Sequence, residues 1–433
     1  MKESIKKRIE AVRRGEIPEG YKCSDSGTMP MEWPEATIGS IIEFHGEKST
    51  TNNEYPVLTS ARSGLVLQTD YFEGQVTREE NAGYNIIPYG YITYRSRSDD
   101  GRFSFNQNRI ISKGIVSCFY PVFRIKEELA APEFVLSYLN NNLGRQILKE
   151  IVGTSQLVLS EKKLSELRLP CPSVVEQQKI AEILATCDRA IELKQQLLEE
   201  KRRQKQWLMQ KLLVPNSGVR MPGFENTTWE KSTIASLFTF GSSMAKSRDE
   251  LSGEGDLYLH YGDIHANERY YIDAKAEYEA IPKYDGASPE KTHLHNGDVV
   301  FIDASEDYDG ISKFVVIENG DGLTFISGLH TIPCHSRDDR LTLHFKRYCF
   351  QTYQFKKQMA YYANGMKVYG ISERDFAKVE VVFPGHEEQV AISNVLDAIS
   401  MNIELLEKEI VEIGKKKKAL MQLLLTGLVR VNA

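Results

Sequence analysis

The stretch EQQKIAEILATCDRAIEL, Glu176 to Leu193, returns as EQVAISNVLDAISMNIEL, Glu388 to Leu405, at an offset of 212 residues. Glu176/Glu388, Gln177/Gln389, Ile180/Ile392, Leu184/Leu396, Ile191/Ile403, Glu192/Glu404 and Leu193/Leu405 are identical pairs. Working outward, the offset holds forward through Leu208-Met209-Gln210 and Leu420-Met421-Gln422 to Leu213/Leu425. Backward it holds through Pro172/Pro384 and Ser160-Glu161/Ser372-Glu373 to Gly153/Gly365. A single offset kept over roughly sixty residues marks an internal duplication rather than shared composition. A second match, Trp33-Pro-Glu-Ala-Thr-Ile-Gly-Ser with Trp229-Glu-Lys-Ser-Thr-Ile-Ala-Ser, has an offset of 196, so the middles of the two units differ in length. The N-terminal IEAVRRGEI also echoes the C-terminal MQLLLTGLV, as in a circularly permuted repeat.

Glu176 to Leu213 contains no Pro or Gly and is rich in strong helix formers, with Pro172-Ser173 before it and Pro215-Asn216-Ser217-Gly218 after it. Ile180, Leu184, Cys187, Ile191, Leu198, Leu208 and Leu212 follow heptad spacing, interrupted at Lys194, Lys201 and Lys205. In the second copy Leu396, Ile399, Ile403, Leu406, Ile410 and Ile413 fill successive a and d positions, continued by Lys417, Leu420 and Leu424. Two such stripes predict an antiparallel coiled coil about 57 Å long at ~1.5 Å per residue. Leu184, Ile191 and Leu198 on one helix and Leu396, Ile403 and Ile410 on the other are its expected interface. The charged a/d positions argue against ordinary helices enclosed in one large core. Lys201-Arg202-Arg203 and Lys415 to Lys418 read as solvated faces within reach of phosphates.

The middles change to short β-branched and aromatic runs punctuated by Gly, Asn and Asp. Tyr91 to Arg95, Ile110 to Ser112, Asp298 to Ile302 and Lys313 to Ile317 are expected strands, and Pro132 to Leu148 and Leu343 to Tyr361 expected helices. The fold class is therefore α/β (α+β) recognition domains in two copies, joined by two long antiparallel coiled-coil helices in a pseudo-twofold repeat. The expected boundaries are an N-terminal segment 1–28, domain 1 at 29–158, a helical region at 159–215, domain 2 at 216–370 and a second helical region at 371–433. In domain 1, Tyr94-Arg95-Ser96-Arg97 and Gly101 to Gln107 interleave basic, aromatic and amide residues. Arg donates bidentately to guanine O6 and N7, and Asn or Gln pairs with adenine, so the loop is suited to reading bases. A surface hairpin with Arg on its polar face has the same sequence.

A chain of 433 residues suggests two to three domains, and 41% hydrophobic with 26% charged residues is the composition of a soluble globular protein. No apolar run approaches the ~18 residues of a membrane span, and the N-terminal basic stretch lacks the pattern of a secretory signal, so a cytoplasmic location is expected. Cys23, Cys118, Cys171, Cys187, Cys334 and Cys349 form no CxxC pair, which fits reduced thiols. The net charge is −6, and the window Gly241 to His335 holds 18 acidic against 7 basic residues. Phosphate-binding surface must therefore be local. The loop Ser305-x-Asp307-x-Asp309-Gly310 begins like an EF-hand but has Val316 at position twelve, and Asp273-x-Lys275 lacks the further carboxylate of a nuclease. Six of the nine His fall in the same window without metal-ligand spacing. Walker, GxGxxG and amino-methyltransferase motifs are missing, leaving no residues for catalysis.

The pattern Leu159-Ser160-Glu161-x-x-Leu164-x-x-Leu167-x-Leu169-Pro170-x-Pro172-x-x-x-Glu176-Gln177-x-x-Ile180-Ala181-x-x-Leu184-x-x-x-Asp188-x-x-Ile191 resembles the helical region of type I restriction-modification specificity subunits. Its second copy departs at Ser393 and Ser400. Tyr55 to Gly64 and Tyr261-Gly-Asp-Ile264 are similar to segments of the family's recognition domains. The resemblance implies a non-catalytic subunit that binds double-stranded DNA, each domain reading one half of a bipartite target and the helices setting the spacer. It further implies two modification (methyltransferase) subunits and restriction subunits as partners, with S-adenosylmethionine and ATP on those partners and no cofactor or metal on this chain. Candidate DNA contacts are Arg62, Arg95, Arg97, Arg102, Asn106, Gln107, Thr154, Ser155 and Gln156 in domain 1, and Tyr261, His265, Lys283, Lys313 and Lys367 in domain 2. Half-sites one DNA turn apart, about 34 Å, lie within the length of such helices. The competing expectation is a coiled-coil scaffold that binds proteins and reads no DNA.

Overall fold

A computed structural model describes residues 3–71, 80–144, 146–147, 157–319, 321–365 and 367–431. Its two compact units divide inside both long helices: residues 1–194 with 409–433 form one, residues 195–408 the other.

The helices are Val174–Leu212, 39 residues, and His386–Leu425, 40 residues. Their first residues are themselves 212 apart, so the sequence offset is an offset of secondary structure. Ser173 starts the central helix by accepting from the Glu176 backbone N–H at 3.3 Å.

In the first unit a four-stranded antiparallel sheet runs in the order Phe105–Gln107, Ile92–Tyr94, Val122–Ile125, Ile42–Phe44. The second unit repeats that order as Phe314–Glu318, Val299–Ile302, Thr331–Ser336, Phe238–Phe240, and adds Tyr271–Asp273 in parallel beyond Phe314–Glu318. Strands of Ile, Val, Phe and Tyr suit these sheets because both faces are largely covered. Tyr94, Phe105 and Phe123 meet in the first core, and Phe301, Phe314, Phe350, Phe355 and Phe376 in the second. The leading strands Glu35–Thr37 and Glu230–Thr233 pair antiparallel with Arg168–Pro170 and Glu380–Phe383, at the foot of the long helices. Each unit also closes a two-residue ribbon: Arg97–Ser98 with Leu157–Val158, and Ala304–Ser305 with Tyr369–Gly370.

The duplicated Glu-Gln pair explains its own recurrence. The Gln177 amide donates to Pro172 O and accepts from Ala131 N, both at 2.9 Å. Gln389 does the same with Pro384 O and Thr342 N at 2.8 Å. Each fully buried amide thus ties the helix start to the recognition domain. Beside it, Glu176 accepts from Trp33 Nε1 at 3.2 Å and from Arg430 at 2.6 and 2.9 Å. Glu388 accepts from Arg220 at 2.9 Å and Thr227 at 2.6 Å. Arg430 covers the Trp33 ring at 5.3 Å as Arg220 covers Trp229 at 5.4 Å. Hence the chain's last residues supply to the first unit what the link after the central helix supplies to the second. The N-terminal segment is tied to the C-terminal one: Arg8 donates to Tyr21 Oη and Leu428 O, and Tyr21 Oη donates to Gly427 O.

Three local expectations fail. Ile110 to Ser112 is a loop, because buried Asn108 accepts from Ile110 N and Ile111 N and donates to Ile87 O and Ile111 O, replacing strand pairing. The helix expected from Pro132 is Pro132–Asn141, the chain turning at Asn142 and Leu143. The one expected from Leu343 is two helices, Leu343–Cys349 and Tyr353–Tyr362, the second capped anew by Thr352.

Candidate nucleic-acid interface

In the first unit the ribbon, the loop that follows it and the turn between strands Leu58–Ala61 and Gly64–Leu67 gather four exposed arginines, Arg62, Arg95, Arg97 and Arg102. Asp100 organises two of them: it accepts from Arg62 at 2.5 Å, Ser98 Oγ at 3.0 Å and Arg102 N at 3.2 Å, with the Arg102 guanidinium 4.0 Å away. The Arg102 backbone N–H, Ser98 and Arg62 hold the Asp100 carboxyl below the usual range. It therefore stays ionised while pinning two guanidiniums that remain 69% and 80% exposed. Arg97 lies over the half-exposed Phe119 ring at 4.5 Å. A rigid, exposed group of planar donors of this kind can contact phosphates or guanine edges.

Two expected readers are spent within the fold. Asn106 donates to Ser60 Oγ and Ala61 O, fastening the turn that carries Arg62. Gln107 donates to Gly90 O and accepts from Arg109. Both sit on the strand Phe105–Gln107, half-buried, so their amides face protein rather than DNA. Thr154, Ser155 and Gln156 lie outside the described residues.

The corresponding face of the second unit has a different chemistry. Tyr261 and His265, on the helix Tyr261–Ala266, meet edge-on at 6.2 Å, and Tyr261 meets His330 at 5.8 Å. His330 Nδ1 bonds Asp303 at 3.1 Å, immediately before the ribbon strand Ala304–Ser305. Tyr308 on the following loop stacks on Tyr369 of the ribbon at 4.0 Å and stays 49% exposed. Lys367 is exposed on the loop leading into that ribbon. That His330 and Asp303 join Tyr261 and His265, and Tyr308 joins Tyr369, was not legible; the offset that pairs Tyr369 with Leu157 was the available signal.

Lys283 is a correction: only 4% exposed, with its Nζ 4.5 Å over the Tyr278 ring, it cannot meet a phosphate. It lies on the strand Lys283–Tyr284 against Asp256–Leu259, where its aliphatic stem packs. Lys313 is half-buried with its ammonium over Tyr270 at 5.3 Å. Asp273 accepts from Lys275 N, Ala276 N and Asn319, a turn cap and not a nuclease ligand. Among the described residues no group of His, Cys, Asp and Glu could hold a metal, and the six cysteines are free.

The helix pair packs as its heptads require. In the first unit Ile180 and Leu184 share a core with Leu424 and Leu425; in the second Leu212 and Leu213 share one with Ile392 and Leu396. Leu198 is buried, while Ile191, Ile403 and Ile410 are half-buried. Ion pairs Lys194–Glu409 and Asp188–Lys417 in one unit, and Arg202–Glu407 in the other, bridge the two helices. Arg202 is thus paired with Glu407 while staying half-exposed. Lys205 sits beside Tyr348 at 6.0 Å, and burial lowers its pKa. Leu193 and Leu405, the same position of the repeat, are both left outward, 47% and 56% exposed.

Residues 30–201 match the family model of the type I restriction modification DNA specificity domain. The second unit, beyond the matched residues, repeats the sheet order and the Glu-Gln clamp of the first. Two curated relatives from Methanocaldococcus jannaschii, the MjaX and MjaVIII specificity subunits of type I restriction enzymes, are each 24% identical, over 96% of this chain and 97% of theirs. The type I restriction-modification S subunit from M. genitalium superposes with a TM-score of 0.53 at 14% identity, covering 93% of this chain and 97% of that one. A chain from a structure of type I system assembly and conformational transition gives 0.55 at 16% identity, over 93% and 99%. Both share the fold. Among the described residues no helix is long and apolar enough to cross a membrane.

Proposed function

We propose that this chain is the DNA sequence-specificity subunit of a type I restriction-modification complex, acting in the cytoplasm and carrying no catalytic centre of its own. Each recognition domain reads one half of a bipartite target, and the helices set the spacer and dock two modification subunits. S-adenosylmethionine and ATP belong to the modification and restriction subunits. The observation that carries this reading is a duplicated scaffold, clamped by Gln177 and Gln389, that presents two unlike exposed faces around equivalent ribbons. A scaffold without DNA readout has no need of four exposed arginines, two of them pinned by Asp100. The outward Leu193 and Leu405 support two equivalent docking sites for one kind of partner.

The test is to map methylated sites in the host genome with and without this gene, then to measure binding of the chain with its modification subunits to the motif found. A bipartite motif that vanishes with the gene supports the reading. Affinity equal for that motif and for scrambled DNA would overturn it.

A further inference from the structure

The two recognition domains match beyond their main sheets, and the match locates one position in each. In the first, Val57 bridges Ile115 in parallel, and Ile115 pairs antiparallel with Ile86. In the second, Tyr258 pairs with Ile326 in parallel, and Ile326 bridges His293 antiparallel. Val57 and Tyr258 are therefore equivalent, and the fifth residue after each is Arg62 and Asp263. Arg62 donates to Asp100 at 2.5 Å, while Asp263 accepts from Arg248 at 2.8 Å. The same place thus carries an arginine and a carboxylate in both domains, with the partners exchanged.

Arg248 is held in place and turned outward. Ser247 and Glu250 form a capping box around it, the Ser247 N–H donating to Glu250 at 2.9 Å. The preceding backbone is tied to the equivalent strand, since Tyr258 Oη donates to Met244 O at 2.6 Å and accepts from Lys246 N at 3.0 Å. A Cβ at Gly262 would lie 3.2 Å from the guanidinium, so Arg248 rests against the helix whose Tyr261 meets His330 beside the ribbon. It gives one terminal nitrogen to Asp263 and stays 56% exposed, which leaves further N–H donors of its fork for a ligand. In the same acidic window Lys246 and Arg269 are ion-paired, Lys283 is buried and Lys313 lies over Tyr270. A domain of that charge approaches DNA only where a cation neutralises a phosphate. A pinned guanidinium loses little entropy on binding and matches phosphate oxygens in shape.

Resting on the reading of the chain as a DNA specificity subunit, we propose that Arg248 is the residue with which domain 2 grips a backbone phosphate of its half-site, as Arg62 does for domain 1. Asp263 is its positioning residue, as Asp100 is for Arg62. The contact fixes the domain on the duplex and carries no sequence information.

The experiment is fluorescence anisotropy of the full-length chain with its modification subunits, on the methylated motif and on a scrambled duplex, across a salt series. Arg248→Ala is expected to weaken binding to both duplexes by the same factor and to make the salt slope shallower by about one unit. Arg248→Lys keeps the charge and is expected to restore the slope. Asp263→Asn breaks the same ion pair but leaves the cation, so its slope is expected to stay at least as steep as that of the wild type. That variant is the control for a pair that serves only the fold. A slope unchanged by Arg248→Ala, or equal losses of affinity and slope in Arg248→Ala and Asp263→Asn, would overturn the phosphate contact. So would a methylated motif altered in one half by Arg248→Ala with the slope retained, which would make Arg248 a reader of bases. A wild-type complex that binds both duplexes equally would instead overturn the proposed function.

Discussion

At the scale of single residues, the recurring Glu-Gln pair is a clamp whose worth is set by burial. Gln177 and Gln389 are wholly buried; Gln177 satisfies one backbone N–H and one carbonyl, and Gln389 one N–H and two carbonyls. Gln177→Leu or Gln389→Leu leaves these backbone groups unpaired, so a loss of about 1–3 kcal/mol is expected from urea unfolding of either variant. His335 offers a pH prediction. Its hydrogen bond to Asp298, 2.8 Å away, raises its pKa above the ordinary 6.5 against the lowering effect of burial. The pair's contribution is complete below 6.5 and fades as pH climbs through the raised value. Histidine NMR should therefore give a His335 midpoint above 6.5, and Asp298→Asn should return it to that value or below. The residue scale is also where sequence reading was weakest. Asn106, Gln107 and Lys283 have the right chemistry for DNA, yet their side chains are used inside the domains.

At the scale of elements, the long helices and the C-terminal tail show opposite degrees of legibility. Heptad spacing and capping are local properties, and the central helix indeed starts within two residues of the expected Glu176. The tail is a short segment without periodicity, and its role depends on Glu176 lying 254 positions earlier in the chain. Arg430→Ala strips a nearly buried carboxylate of its cation. A cost of roughly 2–3 kcal/mol is expected, at the low end for a buried pair because Arg430 is itself one-third exposed. Limited proteolysis should find the first unit sensitised in that variant and the second unit sensitised in Arg220→Ala. Equal sensitisation of both units by either change would contradict the correspondence of the two arginines. Asn108 is the converse case, a single side chain whose four bonds turn an apolar Ile-Ile pair from strand into loop.

For the whole molecule, the acidic balance becomes a statement about division of labour. With guanidiniums on one face and carboxylates on the other, the first domain is expected to supply most of the salt-dependent affinity. Neutralising Arg62 and Arg102 together should weaken binding to all sequences and flatten the salt slope by up to about two units. Fluorescence anisotropy across a salt series measures this. The exposed Leu193 and Leu405 predict a stoichiometry: Leu193→Arg or Leu405→Arg leaves one modification subunit bound in native mass spectrometry, and the double variant none. Two subunits retained by the double variant would place the docking surface elsewhere.

The sequence by itself determined the duplication, the two helices, the class of each domain and the position of the arginine loop. Each is written in short-range periodicity or in an offset that comparison of the chain with itself reveals. Only the tertiary structure decided which polar side chains are engaged inside the domains, that Asp100 holds Arg62 and Arg102, that His330 and Asp303 join Tyr261 and His265, and that Tyr308 stacks on Tyr369. Those outcomes follow from packing between residues tens of positions apart, where burial and competing hydrogen-bond partners, rather than residue type, settle what a side chain can still bind.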